Sequence, residues 1–189
     1  KTLRGINELS LSGDTIVVAT DFGVSLINSK TLDFYETFVK FGSIAANTKV
    51  NSVFRAGLFY VSTQGGLAVQ KPGTTNLNDP NAWDVYTTLP GTGSAVFHFV
   101  TNGHDGLVAG TSRGLFKFTP GTFTSYSSEL LGKTVRKTAQ DGTSVWFVAD
   151  YTIPGGTRSA VYKFTGGVLT TSGQDLPALY GLIPSVNGY

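Results

Sequence analysis

The chain has 189 residues, enough for one domain with a sizeable core. Its charge of +2 is too small for a nucleic-acid binder, and the absence of cysteine excludes disulfides, thiol nucleophiles and thiolate metal sites. Only 14 % of residues are charged; Gly, Ser, Thr and aromatic residues fill the gap, a β-rich composition with enough apolar content to fold.

The predicted elements run in four imperfect copies of one unit. The first opens on Ile6-Asn7-Glu8-Leu9, continues with the apolar run Ile16–Ala19, turns at Thr20-Asp21-Phe22-Gly23-Val24 and ends on Leu32-Asp33-Phe34-Tyr35. The second opens on Val50-Asn51-Ser52-Val53, has Leu58–Val61, turns at Thr63-Gln64-Gly65-Gly66-Leu67 and ends on Trp83-Asp84-Val85-Tyr86. In the third, Val96-Phe97-His98-Phe99 precedes Leu107–Ala109, Thr111-Ser112-Arg113-Gly114-Leu115 and Phe123–Tyr126. The fourth opens on Val135-Arg136-Lys137-Thr138, has Val145–Asp150, a turn lengthened by Tyr151–Ser159, then Ala160–Phe164 and Val168–Thr171. A further opening segment reads Ile183-Pro184-Ser185-Val186.

Four short β segments in roughly 40–45 residues are the period of a propeller blade. β-branched and aromatic residues fill the segments, and Gly, Pro, Asn and Asp separate them. No long helical stripe is visible, and no membrane-spanning run. The fold expected is all-β: a propeller of four-stranded antiparallel blades at about 6–49, 50–95, 96–134 and 135–182, with 183–189 starting another. The alternatives are a closed four-bladed ring with a tail and a β-sandwich with similar hairpins. The spare segment at Ile183 favours part of a larger propeller, completed by further blades of the same protein or by a second chain. Gly23, Gly66 and Gly114 are expected at equivalent tight turns, with positive φ at some of them, a conformation only glycine takes without steric cost.

Val108-Ala109-Gly110-Thr111-Ser112-Arg113-Gly114-Leu115-Phe116-Lys117-Phe118, and with it Val61–Leu67 and Ile16–Val24, resembles the repeat of two-component-regulator propellers. The fourth copy keeps a Trp at Trp146 but departs at its turn. Such repeats occur in periplasmic sensor regions of bacterial hybrid sensor kinases and in surface propeller proteins of type IX secretion. The resemblance therefore implies a bacterial, extracellular or periplasmic, non-catalytic binding module.

Catalytic patterns are sparse. The two histidines, His98 and His104, have no metal or triad spacing, and no Gly-x-Ser-x-Gly turn is present. Gly91-Thr92-Gly93-Ser94 lacks the Lys and helix of a phosphate loop. Neither metal nor cofactor is expected.

Two sets of residues are candidates for ligand binding. The polar positions Glu8, Ser52, His98, Lys137 and Ser185 recur in the first segments, which line the channel of a propeller. The long inserts supply Asn76, Asn78, Asp79 and Trp83, and Tyr151 and Arg158. Inserted loops on a repeat scaffold often carry binding. For each, the plain structural reading stands beside the functional one: hydration of a channel wall, a polar hairpin, or aromatic packing between blades. The expected partner is a protein or a glycan, with no nucleic acid and no membrane insertion. The competing class is a propeller lyase or glycosidase, whose paired acids are set by spatial separation and cannot be chosen from sequence.

Overall fold

A computed structural model describes residues 5–141 and 144–176. Four sheets follow one another along the chain, each built from four consecutive antiparallel strands in simple meander order. The first holds β1 (Ile6–Ser12), β2 (Thr15–Thr20), β3 (Gly23–Asn28) and β4 (Phe34–Phe38). The second holds β5 (Val50–Ala56), β6 (Leu58–Thr63), β7 (Gly66–Gln70) and β8 (Trp83–Tyr86). A two-residue ribbon, β9 (Thr88–Leu89) with β10 (Gly93–Ser94), leads onward. The third sheet is β11 (Phe97–Gly103), β12 (Gly106–Thr111), β13 (Gly114–Thr119) and β14 (Thr122–Ser125). The fourth is β15 (Thr134–Asp141), β16 (Ser144–Ile153), β17 (Gly156–Thr165) and β18 (Val168–Leu176). The described residues contain two single 3-10 turns and no α-helix. These are propeller blades, as the repeat predicts. The segment at Ile183–Val186 lies outside the described residues.

In the second blade the second and third strands are apolar on both faces because both faces are covered. Phe59 to Thr63 are all buried, as are Gly66 to Val69. Alternation sends Phe59 and Val61 to one side of the sheet and Tyr60 and Ser62 to the other.

The Thr-x-x-Gly pattern between these strands has a shared geometry. Thr20 Oγ1 donates to Gly23 O (2.9 Å), Thr63 Oγ1 to Gly66 O (2.7 Å) and Thr111 Oγ1 to Gly114 O (2.9 Å). Each hydroxyl also accepts a turn N–H, from Phe22, Gly65 and Arg113 respectively. A threonine there satisfies both backbone groups of a two-residue turn that would otherwise be buried without partners. The glycines sit at φ 149°, 141° and 133°, positive at all three turns.

By contact density the chain divides into two units, Lys1–Val100 and Thr101–Tyr189. In the first, one cluster joins Val17, Ala19, Val24 and Phe38 of the first blade to Val50, Val53, Phe59 and Val61 of the second. In the second, Tyr126 meets Phe164 edge-on at 4.7 Å, and Phe147 stacks on Tyr162 at 5.5 Å.

Two of the repeat columns shift by one or two residues. In the first blade Ile27 pairs with Phe34, as Gln70 pairs with Trp83. Phe34, not Leu32, is thus the counterpart of Trp83. Leu32 takes φ 64° in a turn where Asn28 Oδ1 accepts from Lys30 and Thr31 N–H. In the third blade Phe97, not Val96, takes the place of Val50, as the contacts below establish.

Candidate functional site

The first strands of the blades carry a bulge, and the bulge does structural work. The ladder skips between Ile6 and Glu8 and again between Val50 and Ser52. A bulge re-aims the extra side chain away from the alternation of the strand. In both blades that residue is asparagine. Asn7 Nδ2 donates to Val50 O (2.8 Å), and Asn51 Nδ2 donates to Phe97 O (2.7 Å). Each amide thus clasps the opening carbonyl of the following first strand. The same contact aligns Phe97 with Val50 and puts His98 at the asparagine position.

The polar channel column therefore dissolves into unlike positions. Glu8 accepts from the Val53 N–H (2.9 Å) and ties the first blade to the second. Ser52 is buried, at 4 % exposure. His98, half-buried, stands one place away in the repeat from Glu8 and Ser52. Lys137 lies on β15 with its side chain outside the described residues, as is all of Ser185. The two asparagines are not among the candidates that the sequence offers. Their signal was present, since both follow the opening apolar residue of their copy. Asp21 completes the first clasp: Gly5 N–H and then Asn7 Nδ2 donate to its carboxylate and hold its pKa below the usual carboxylate range.

The first insert is a folded loop around a buried ring. Trp83 is core, with its indole edge-on to Phe41 at 5.1 Å and its Nε1–H donated to Leu77 O (3.0 Å). It is unavailable to a ligand, which corrects its place among the loop candidates. Asp79 caps the following 3-10 turn by accepting from Asn81 N–H (2.8 Å). Asn76 Oδ1 accepts from Asn78 N–H, and Asn78 Nδ2 donates to Glu36 (2.6 Å). Asn76, Asn78 and Asp79 all remain exposed. The oxygens serve the loop's own backbone, and the described residues hold no group of three or more metal-ligating side chains.

The second insert is an extended hairpin, not an open loop. Pairing of β16 with β17 continues through Tyr151↔Arg158 and Thr152↔Thr157 to Ile153↔Gly156. β-branched Thr152, Ile153 and Thr157 favour the strand. Pro154-Gly155 closes it, with positive φ at Gly155 and Gly156. Directly opposed residues share a face, so Tyr151 and Arg158 stand side by side, each half-buried.

At the foot of this hairpin, Lys133 Nζ lies 5.2 Å from the Tyr151 ring and donates to Tyr162 Oη (2.9 Å). Tyr162 donates in turn to Glu129 (2.9 Å). Burial and then the Glu129 carboxylate push the Tyr162 hydroxyl far above its ordinary pKa, so it stays a neutral donor. Arg136 pairs with Asp150, which also accepts from Ser159 (2.7 Å). The ribbon thus carries an aromatic face and a guanidinium, with the Lys133 ammonium set against the Tyr151 ring at its foot.

The fold is that of β-propeller blades, with inserts in the second and fourth. Residues 1–84 match the family described as "TSS9, PorZ, N-terminal beta-propeller domain". Comparison with curated proteins gives no match. Among solved structures, the extracellular domain of BT4673 from B. thetaiotaomicron aligns over 90 % of this chain and 22 % of its own, at 15 % identity and TM-score 0.60. PorZ, a surface component of the type IX secretion system of Porphyromonas gingivalis, aligns over 93 % of this chain and 26 % of its own, at 16 % identity and TM-score 0.53. NirN, a dihydro-heme d1 dehydrogenase, aligns over 90 % of this chain and 38 % of its own, at 12 % identity and TM-score 0.53. The chain thus spans about a quarter of the length of the sensor and secretion structures it matches. At these identities the likeness is one of fold. It agrees with the resemblance to two-component-regulator-type propeller repeats. Among the described residues no helix is long and apolar enough to cross a membrane.

Proposed function

We propose that this chain is a non-catalytic propeller module acting outside the cytoplasm, which binds a protein or a glycan through its inserts. The observation that carries the reading is the braced hairpin. It presents Tyr151 and Arg158 as neighbours on one face and holds Lys133 against the Tyr151 ring. An aromatic face beside a guanidinium suits an acidic sugar or a carboxylate-bearing peptide, by stacking and by a two-pronged hydrogen bond. The Asn76–Asp79 loop offers a second polar surface. The extracytoplasmic setting draws on the extracellular and surface locations of BT4673 and PorZ.

The test is an immobilised panel of acidic and neutral bacterial polysaccharides and acidic peptides, probed with the chain and with Arg158→Ala and Tyr151→Ala. Either variant should weaken retention on at least one ligand roughly tenfold, about 1.4 kcal/mol, with an unchanged melting temperature. Retention unaffected by both variants excludes the hairpin as the site. Release of new reducing ends or unsaturated sugars from the panel would instead establish the lyase or glycosidase reading.

A further inference from the structure

The face of the ribbon that carries Tyr151 and Arg158 can be followed row by row. Directly opposed residues, and those two places along a strand, share a face. Phe147 with Tyr162, then Ala149 with Ala160, form its buried root. Tyr151 with Arg158 come next, and Ile153 with Gly156 end it. Gly156 has no side chain, and a Cβ built on it would meet nothing within 4 Å. Beyond Arg158 the face therefore opens into a gap bordered by Tyr151, Ile153 and Arg158 and floored by backbone. Adjacent strands stand about 4.8 Å apart and successive rows about 7 Å, so these last rows match one sugar ring in size.

The cations of the hairpin and its foot are not equivalent. Lys133 Nζ lies 4.0 Å from the Glu129 carboxylate, donates to Tyr162 Oη and stands over the rings of Tyr151 and Tyr162 at 5.2 and 5.4 Å. Arg136 pairs with Asp150. Arg158 enters no ion pair and no hydrogen bond among the described residues. Charges that are already matched add little to the pull on a ligand, so the face offers it one guanidinium.

We propose that this face selects a single uronic acid residue of a glycan, its pyranose ring lying over Gly156 with an apolar C–H face toward Tyr151, and its carboxylate on the Arg158 fork. The inference rests on the hairpin being the binding site and names what that site selects. A planar carboxylate meets the guanidinium with two parallel N–H···O bonds and sets one charge against one. A phosphate monoester carries close to two negative charges at neutral pH. Lys133 is held by Glu129 and Tyr162 and does not supply the second cation. A sugar is favoured over a protein on size, because a stable protein interface needs about 800 Å² from each partner.

The test is calorimetric titration of the chain with four probes: trigalacturonate, its methyl ester, a 6-phosphorylated trigalactose and pentaglutamate. Trigalacturonate should bind on the order of tenfold more tightly than each of the others. Arg158→Lys keeps the charge and loses the fork, and should weaken trigalacturonate roughly tenfold. Arg158→Ala should bind acid and ester alike, with an unchanged melting temperature. Equal affinity of the unaltered chain for acid and ester overturns the inference, as does the absence of any heat with trigalacturonate at millimolar concentration. Tighter binding of the phosphorylated sugar or of pentaglutamate also overturns it. If that tighter binding is lost in Arg158→Ala and Tyr151→Ala, the hairpin remains the site and only its ligand is reassigned.

Discussion

Replacing Trp83 by alanine should destabilise the first unit by about 3–5 kcal/mol, the usual cost of truncating a large buried aromatic. The ring sits in the cluster shared by the first two blades and meets Phe41 edge-on. Its removal leaves a cavity bounded by strands that are fixed by their own ladders and cannot close in. The effect extends to the insert, because the indole N–H is the bond that holds Leu77 O. Trp83→Phe separates the two contributions. It keeps most of the packing but leaves a buried carbonyl without this donor, at a cost of about 1–3 kcal/mol. Urea unfolding followed by circular dichroism measures both. A loss below about 1 kcal/mol for Trp83→Ala would place the indole at the surface.

Gly23→Ala should be nearly as damaging, at about 2–4 kcal/mol, for a reason that compounds conformation with collision. An added Cβ at Gly23 would lie 2.1 Å from Phe38 O, which is backbone and cannot swing aside. At Gly66 the nearest atom is Tyr86 O at 2.6 Å, and at Gly114 it is Leu130 O at 2.9 Å. Gly13 has φ 60° and nothing within 4 Å. It reports the conformational cost alone, about 1 kcal/mol. The melting temperatures of the four alanine variants should therefore rise in the order Gly23, Gly66, Gly114, Gly13. Equal effects at Gly23 and Gly13 would show that β4 does not approach the turn.

These glycines were legible in the sequence because the requirement is local. A two-residue turn between paired strands imposes its backbone angles, and Thr-x-x-Gly repeats wherever the turn does. The exact columns were less legible. Residue counts cannot reveal a bulge, and the first blade spends an additional residue in its fourth strand, so Leu32 fell into the column that Phe34 occupies. The third copy slipped because Val96 and Phe97 are both apolar. Only the Asn51 amide, reaching Phe97 O across the blades, fixes the register. The insert after Asp150 reads as loop because Pro154, Gly155 and Gly156 dominate it, yet Thr152, Ile153 and Thr157 are good strand residues and the ladder runs through them. The polar column was misread for the same reason. Glu8 and Ser52 share a sequence position, but one faces a neighbouring backbone N–H and the other a packed interior. The exposure of Ile6, Leu9 and Phe34 was not visible in composition at all, because they are as apolar as the buried Val50, Val53 and Trp83.

The most direct test of the blade assignment is the set of cross-strand Hα–Hα and amide contacts seen by nuclear magnetic resonance on the isotopically labelled chain. Each of the four described four-stranded sheets is made of consecutive strands. Contacts should therefore link Leu9 with Val18, Val53 with Val61, Ala68 with Val85 and Phe118 with Phe123. A β-sandwich would instead exchange strands between repeats, and a continuous ladder joining β1 to β5 would contradict the account.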